Sequence, residues 1–221
     1  MKNFILISII LLFSISCNKN NNSKCSSKSE VYLWGECYDI GSTYRIEIYN
    51  KKLYGGIPES IGKLENLMEI SLFNNGLGGE IPHSIGNLKN LRQLYIVQNY
   101  IKSEIPSTIG NLKKLEQLGL YDNQLYGNIP LEIFKLENLE LISIQDNNIT
   151  GEIPPEVGNL KKLGWFRVSN NLLTGEIPLE MCPFIISSDM YGPNSMTYYG
   201  KDYYYEDILK GNYLKDNCRD Y

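Results

Sequence analysis

Apolar residues return at fixed places along most of the chain, in a pattern that repeats every 24 residues. In Leu67-Met68-Glu69-Ile70-Ser71-Leu72 the apolar positions 70 and 72 alternate with polar ones, the period of a strand with one buried face. Equivalent signals lie near 91–97, 115–121, 139–145 and 163–169, and the segment 43–48 places one more strand 24 residues upstream of the first. The dipeptide Ile-Pro recurs at 57, 81, 105, 129, 153 and 177, without insertion or deletion. A constant period of this length marks stacked supersecondary units. The pattern therefore predicts a solenoid, one strand per turn, whose strands form a parallel sheet at a spacing of about 4.8 Å.

Aligned by period, the units begin at Leu53, Leu77, Ile101, Leu125, Ile149 and Leu173, and share L-x-G-x-I-P-x-x-I-G-x-L-x-x-L-x-x-L-x-L-x-x-N. Gly55, Gly79, Gly127, Gly151 and Gly175 permit a turn that other residues would strain, and Ser103 replaces one of them. Proline has no N–H and suits the first position of a short helical turn. Ile-Pro-x-x-Ile-Gly is thus expected to enter a 3₁₀-like turn on the convex side. Asn75, Asn99, Asn123, Asn147 and Asn171 end the strands; facing inward, they would bond backbone groups left open by the tight turn and form a buried ladder. Lys51 takes the equivalent place in the first turn. At roughly 2 kcal/mol per buried apolar side chain, most of the gain arises only when neighbouring units stack.

This pattern resembles the leucine-rich-repeat family over about residues 43 to 180. The Leu-x-Gly-x-Ile-Pro portion is similar to the subtype best known from plant receptor ectodomains and also found in bacterial proteins. The resemblance implies an α/β, mainly β solenoid, a right-handed horseshoe with parallel concave strands and 3₁₀ or short helical turns outside. Trp34-Gly35-Glu36-Cys37 resembles the Trp-Gly-x-x-Cys-like element of plant-type N-terminal caps, with one residue fewer before the cysteine. The expected organisation is cap and first strand over 30–52 and repeats over 53–180. After Met181-Cys182-Pro183-Phe184 the pattern fails, and the remainder to Tyr221 is expected to cover the last coil. That tail is crowded with tyrosine (Tyr191, Tyr198, Tyr199, Tyr203, Tyr204, Tyr205, Tyr213 and Tyr221), a ring set suited to capping or to recognition. Asp202 to Lys210 could form a short helix.

The N-terminus reads as a targeting segment over 1–16. Lys2 precedes an apolar run from Phe4 to Ile15 that is too short for a comfortable span. Ser14-Ile15-Ser16-Cys17 resembles the lipobox of bacterial lipoproteins, with Ser14 where leucine is usual. The resemblance implies lipidation of Cys17; an ordinary signal peptide is the alternative. Residues 17–29, rich in Asn, Ser and Lys, read as a lipidated flexible tether. Five cysteines in an exported chain leave one over, and lipid on Cys17 would account for it. Local pairing Cys25–Cys37 and Cys182–Cys218 is expected to staple the two ends, although four cysteines allow three connectivities.

The formal charge is −4 with a single histidine, His83. An acidic chain without a basic cluster argues against nucleic acid. No Ser-His-Asp set, catalytic carboxylate pair or HExxH occurs, so no enzyme and no cofactor is expected. Asp122 and Asp146, one turn apart, are too few for a metal site, and none is assigned. Asn148-Ile149-Thr150 is a glycosylation sequon if the host is eukaryotic.

By strand register, one set of side chains lines the concave face, where solenoids usually bind. Tyr49, Phe73, Tyr95, Tyr121, Leu141, Trp165 and Arg167 belong to it and are the expected ligand-binding residues, with the large apolar groups taken as exposed. The reading is a binding module for a protein, or a glycan, held by lipid at a bacterial cell envelope or outer-membrane surface. A structural or adhesion surface protein and a secreted eukaryotic inhibitor of cell-wall enzymes are the alternatives. The ligand and the oligomeric state stay open.

Overall fold

A computed structural model describes residues 25–181 and 210–215. Six parallel strands form the concave sheet in sequential order: Arg45–Tyr49, Glu69–Phe73, Gln93–Val97, Gln117–Gly119, Leu141–Ser143 and Trp165–Arg167. Pairing keeps the 24-residue register without a slip, with Arg45 opposite Glu69 and Glu69 opposite Gln93. Each coil then runs along a flank, where short strand pairs form (Tyr54–Gly55 with Gly76–Leu77, Tyr126–Gly127 with Asn148–Ile149), and into a 3₁₀ turn on the convex side. The fold is a mainly β leucine-rich-repeat solenoid.

The apolar positions of the repeat form one continuous core. Leu67, Ile70, Leu72 and Leu77 and their counterparts in the following coils lie buried between sheet and turns. The turns Glu59–Lys63, His83–Asn87, Ser107–Asn111, Leu131–Lys135 and Pro155–Asn159, and the shorter Leu179–Met181, follow an Ile-Pro each. Proline does not take the first helical position expected of it. Pro58 stands one residue earlier, with φ −68° and ψ 140°, and Pro82, Pro106, Pro130 and Pro154 repeat this geometry. The ring fixes φ, the extended ψ carries the chain off the flank, and the proline carbonyl accepts the first turn bond, as from the Ile61 N–H at 3.0 Å. Only the fifth turn also begins with a proline, Pro155.

The glycine after the isoleucine or, in the fifth turn, after Val157 has a packing role. A Cβ on Gly62 would lie 2.5 Å from the Ser84 carbonyl oxygen, and one on Gly86 2.5 Å from that of Thr108. Neighbouring turns therefore approach backbone to backbone. The fourth turn carries Phe134 at that place, and its ring is buried in the core.

At the N-terminal end, the antiparallel hairpin Glu30–Leu33 with Glu36–Asp39 covers the first coil, and Cys25 and Cys37 are joined by a disulfide. Trp34 donates from Nε1 to the Gly56 carbonyl at 3.1 Å, tying cap to coil. At the other end, residues 210–215 continue the stack. The Asn170 N–H donates to the Lys210 carbonyl at 2.7 Å, and the Tyr213 N–H to that of Leu173 at 2.7 Å. Cys17, the pair Cys182–Cys218, the tail tyrosines other than Tyr213 and the expected helix up to Lys210 lie outside the described residues.

Candidate functional site: the concave face

The sheet arranges the outward side chains in three rows across the strands. The first row is Arg45, Glu69, Gln93, Gln117, Leu141 and Trp165. The second is Glu47, Ser71, Tyr95, Gly119, Ser143 and Arg167. The third begins Tyr49, Phe73, Val97, and Tyr121, Gln145 and Ser169 continue it by period.

These residues are not a set of freely exposed rings. Tyr49 and Trp165 are 44% and 43% exposed, whereas Phe73, Tyr95, Tyr121 and Leu141 are half-buried. The correction has a packing cause. The Tyr49 and Phe73 rings stack at 5.4 Å with 29° between planes, and Phe73 meets Tyr95 at 5.7 Å and 30°. Tyr95 then leans over Gly119, where a Cβ would overlap its ring. The small residues Ser71 and Ser143, and Val97 with them, are buried beneath these larger neighbours. Parallel strands about 4.8 Å apart bring rings of neighbouring strands into mutual contact, which a single strand's alternation cannot show.

Polar contacts hold the strip. The Tyr95 hydroxyl donates to Gln117 Oε1 at 2.6 Å. Burial, with Tyr121 and Glu69 nearby, pushes the Tyr95 hydroxyl up to about 12. Burial also raises the Tyr49 hydroxyl. Arg45 pairs with Glu69 at 3.0 Å at one end, and at the other the Arg167 guanidinium sits 5.2 Å from the Trp165 ring centroid. The face thus carries a preordered aromatic strip at one end and a cationic aromatic pair at the other.

The asparagine ladder forms and is internal. Asn147 Oδ1 accepts the Leu125 N–H at 2.9 Å, while its Nδ2 donates to the carbonyls of Leu120, Ile144 and Gln145. Asn75, Asn99, Asn123 and Asn171 repeat this arrangement. With both amide atoms committed inward, these residues are structural. Asn212 supplies a sixth rung: its Oδ1 accepts the Leu173 N–H at 3.1 Å and its Nδ2 donates to the Val168 carbonyl at 3.0 Å. A signal for it was available, since Asn212-Tyr213-Leu214-Lys215 repeats Asn99-Tyr100-Ile101-Lys102. The 41 residues from Asn171 to Asn212 break the period and hide it.

A second column went unread in the sequence. Asn50, Asn74, Gln98, Asp122, Asp146 and Asn170 precede the ladder positions, and all are left-handed, with φ between 47° and 57°. Asp146 Oδ1 accepts from Asn170 Nδ2 at 2.7 Å, a partner that a neutral amide column supplies without any cation. His83 stands exposed on the convex turn, remote from the concave face, and Asn148 is exposed on a flank. Among the described residues, one trio has metal-ligand proximity, Cys25, Glu30 and Cys37, and its cysteines are bonded to each other.

Residues 66–88, 90–112 and 138–160 match the Leucine Rich Repeat family. The three matched segments lie within the solenoid and agree with its leucine-rich-repeat fold. Among solved structures it is similar to the PEPR1–AtPEP1 complex, with 40% identity, a TM-score of 0.61 and coverage of 62% of this chain and 19% of that one. It is also similar to the Arabidopsis receptor kinase HAESA in complex with the peptide hormone IDA and the co-receptor SERK1, with 36% identity, a TM-score of 0.61 and coverage of 62% and 23%. A plant ice-binding protein matches with 32% identity, a TM-score of 0.60 and coverage of 62% and 45%. The chain spans about a fifth of the length of the first two. No curated protein sequence is significantly similar to it.

Proposed function

We propose that this chain is an exported, non-enzymatic binding module that holds an extended peptide or another protein segment on its concave face. The observation that carries this reading is the strip Tyr49–Phe73–Tyr95, continued by Tyr121 and Leu141 to the Trp165–Arg167 pair. Rings already packed against one another lose little freedom on binding, which favours their use as anchors. The likeness to a receptor kinase in complex with a peptide hormone supports the same reading. Replacing Tyr121, Trp165 and Arg167 together by Ala is expected to abolish binding to a partner captured from surface extracts, with the melting curve little changed. Unchanged affinity by calorimetry would overturn the site.

Export is supported by the apolar segment before Cys17 and by the disulfide Cys25–Cys37. We place the chain at a bacterial envelope through lipid on Cys17. Mass spectrometry of the mature N-terminus is expected to show a diacylated or triacylated cysteine; an unmodified chain beginning elsewhere would end that assignment.

A further inference from the structure

The two flanks of the solenoid differ in charge and in chemistry. One flank runs from the last residue of each 3₁₀ turn to the next concave strand, over 63–68, 87–92, 111–116, 135–140 and 159–164. It carries eight cationic residues against four carboxylates. The cations are held out by neutral acceptors rather than cancelled. Lys114 Nζ donates to Asn90 Oδ1 and Lys162 Nζ to Asn138 Oδ1, both at 2.8 Å. Lys89 and Lys161 donate to the carbonyls of Gly86 and Gly158. Among the described residues only Arg92 and Lys135 of the eight have a carboxylate partner, Glu116 and Glu132.

The opposite flank follows the concave strands. From residue 74 to 177 it carries six carboxylates and one lysine, Lys102, while Lys51 and Lys52 precede this stretch and Lys210 and Lys215 follow it. It also holds Tyr54, Tyr100, Tyr126, Leu172 and Tyr213, five of the eleven exposed large apolar side chains among the described residues. Tyr100 is 63% exposed and Tyr213 70%, more than any concave residue of the proposed binding strip.

We propose that the two flanks are complementary and that the chain associates with copies of itself side by side. The basic flank of one molecule docks on the acidic, tyrosine-bearing flank of the next. Both flanks repeat once per coil, so charges on one meet charges on the other in a common spacing of about 4.8 Å. Lysine stems cover tyrosine rings, and the ammonium groups reach ring faces as well as carboxylates. Because the two surfaces differ, the contact is head-to-tail and builds an open row rather than a closed dimer. A row of this kind leaves every concave face free, so the association is independent of the peptide-binding reading.

The test uses the exported chain with Cys17→Ser, so that no lipid drives association, in analytical ultracentrifugation. The wild-type flanks are expected to give concentration-dependent association at low salt that is lost in 1 M salt, where the screening length is about 3 Å. A variant with both flanks acidic (Lys113→Glu, Lys114→Glu, Lys161→Glu, Lys162→Glu) and one with both basic (Glu80→Lys, Glu104→Lys, Glu152→Lys) are each expected to stay monomeric. Mixed together, they are expected to associate. Should charge reversal unfold the chain by circular dichroism, Lys113→Gln with Lys161→Gln is expected to weaken association at least tenfold. Tyr100→Ala with Tyr126→Ala should weaken it as well, and the Tyr121, Trp165, Arg167 alanine variant should not. A monomeric wild type, a single reversed variant that still associates, or a mixture that does not would overturn the proposal. So would capture of monomers by anionic vesicles without self-association, which would make a membrane the occupant of the basic flank.

Discussion

A buried asparagine is affordable in this core only because all of its hydrogen-bonding capacity is used. Asn147 is buried and bonds one N–H and three carbonyls of two neighbouring coils. Asn147→Ala leaves the Leu125 N–H without its acceptor, while the three carbonyls keep other donors. Chemical denaturation is expected to show a loss of about 1–3 kcal/mol, with similar losses at Asn99 and Asn171. Tyr95 makes a different statement about burial. Its hydroxyl ionises near 12 in the fold against about 10 in the unfolded chain, so the fold favours the neutral form. That contribution is complete below pH 10 and falls away as pH rises from 10 towards 12. Absorbance titration should show two late tyrosines, Tyr38 and Tyr95, of which one is lost in Tyr95→Phe, and stability of that variant should decline less steeply over the same pH interval.

Elements in this molecule are defined by what stacks on them. The 3₁₀ turns pack through Gly62 and Gly86, whose lack of Cβ lets one turn's backbone lie on the next. The C-terminal segment 210–215 is an element only because it completes the ladder, with Asn212 bridging Val168 and Leu173. Asn212→Ala is expected to cost about 1–3 kcal/mol and to speed hydrogen exchange at the Leu173 amide by at least tenfold, while amides of the first coils stay unchanged. Uniform exchange along the whole stack would show that this segment does not seal the end. The strands and the turns were legible in the sequence because each repeats six times over. The Asn212 rung was not, since a single copy displaced from the period carries no statistical weight. The position of proline was misjudged by one residue for a local reason: its fixed φ fits both the first helical place and the residue before it, and only ψ separates them.

At the scale of the whole molecule, the stack turns a short repeat into three long surfaces: a concave aromatic strip, a basic flank and an acidic tyrosine flank. Each neighbour contributes one rung to each surface, so stability accumulates by nearest-neighbour contacts and specificity by the positions that vary. The proposed peptide site and the proposed lateral contact use different surfaces. A chain could therefore present its concave face while standing in a row.

The sequence alone determined the period, the parallel register, the inward and outward sets and the need for caps. All of these are one-dimensional properties, read from spacing. Only the tertiary structure decided which outward residues are accessible. Exposure of Phe73 or Tyr95 depends on residues 22 or 24 places away in the next coil, and on whether a glycine such as Gly119 lets a ring lie down. The same reason explains the flanks: their charges are scattered along the chain and become surfaces only when successive coils bring them to one side.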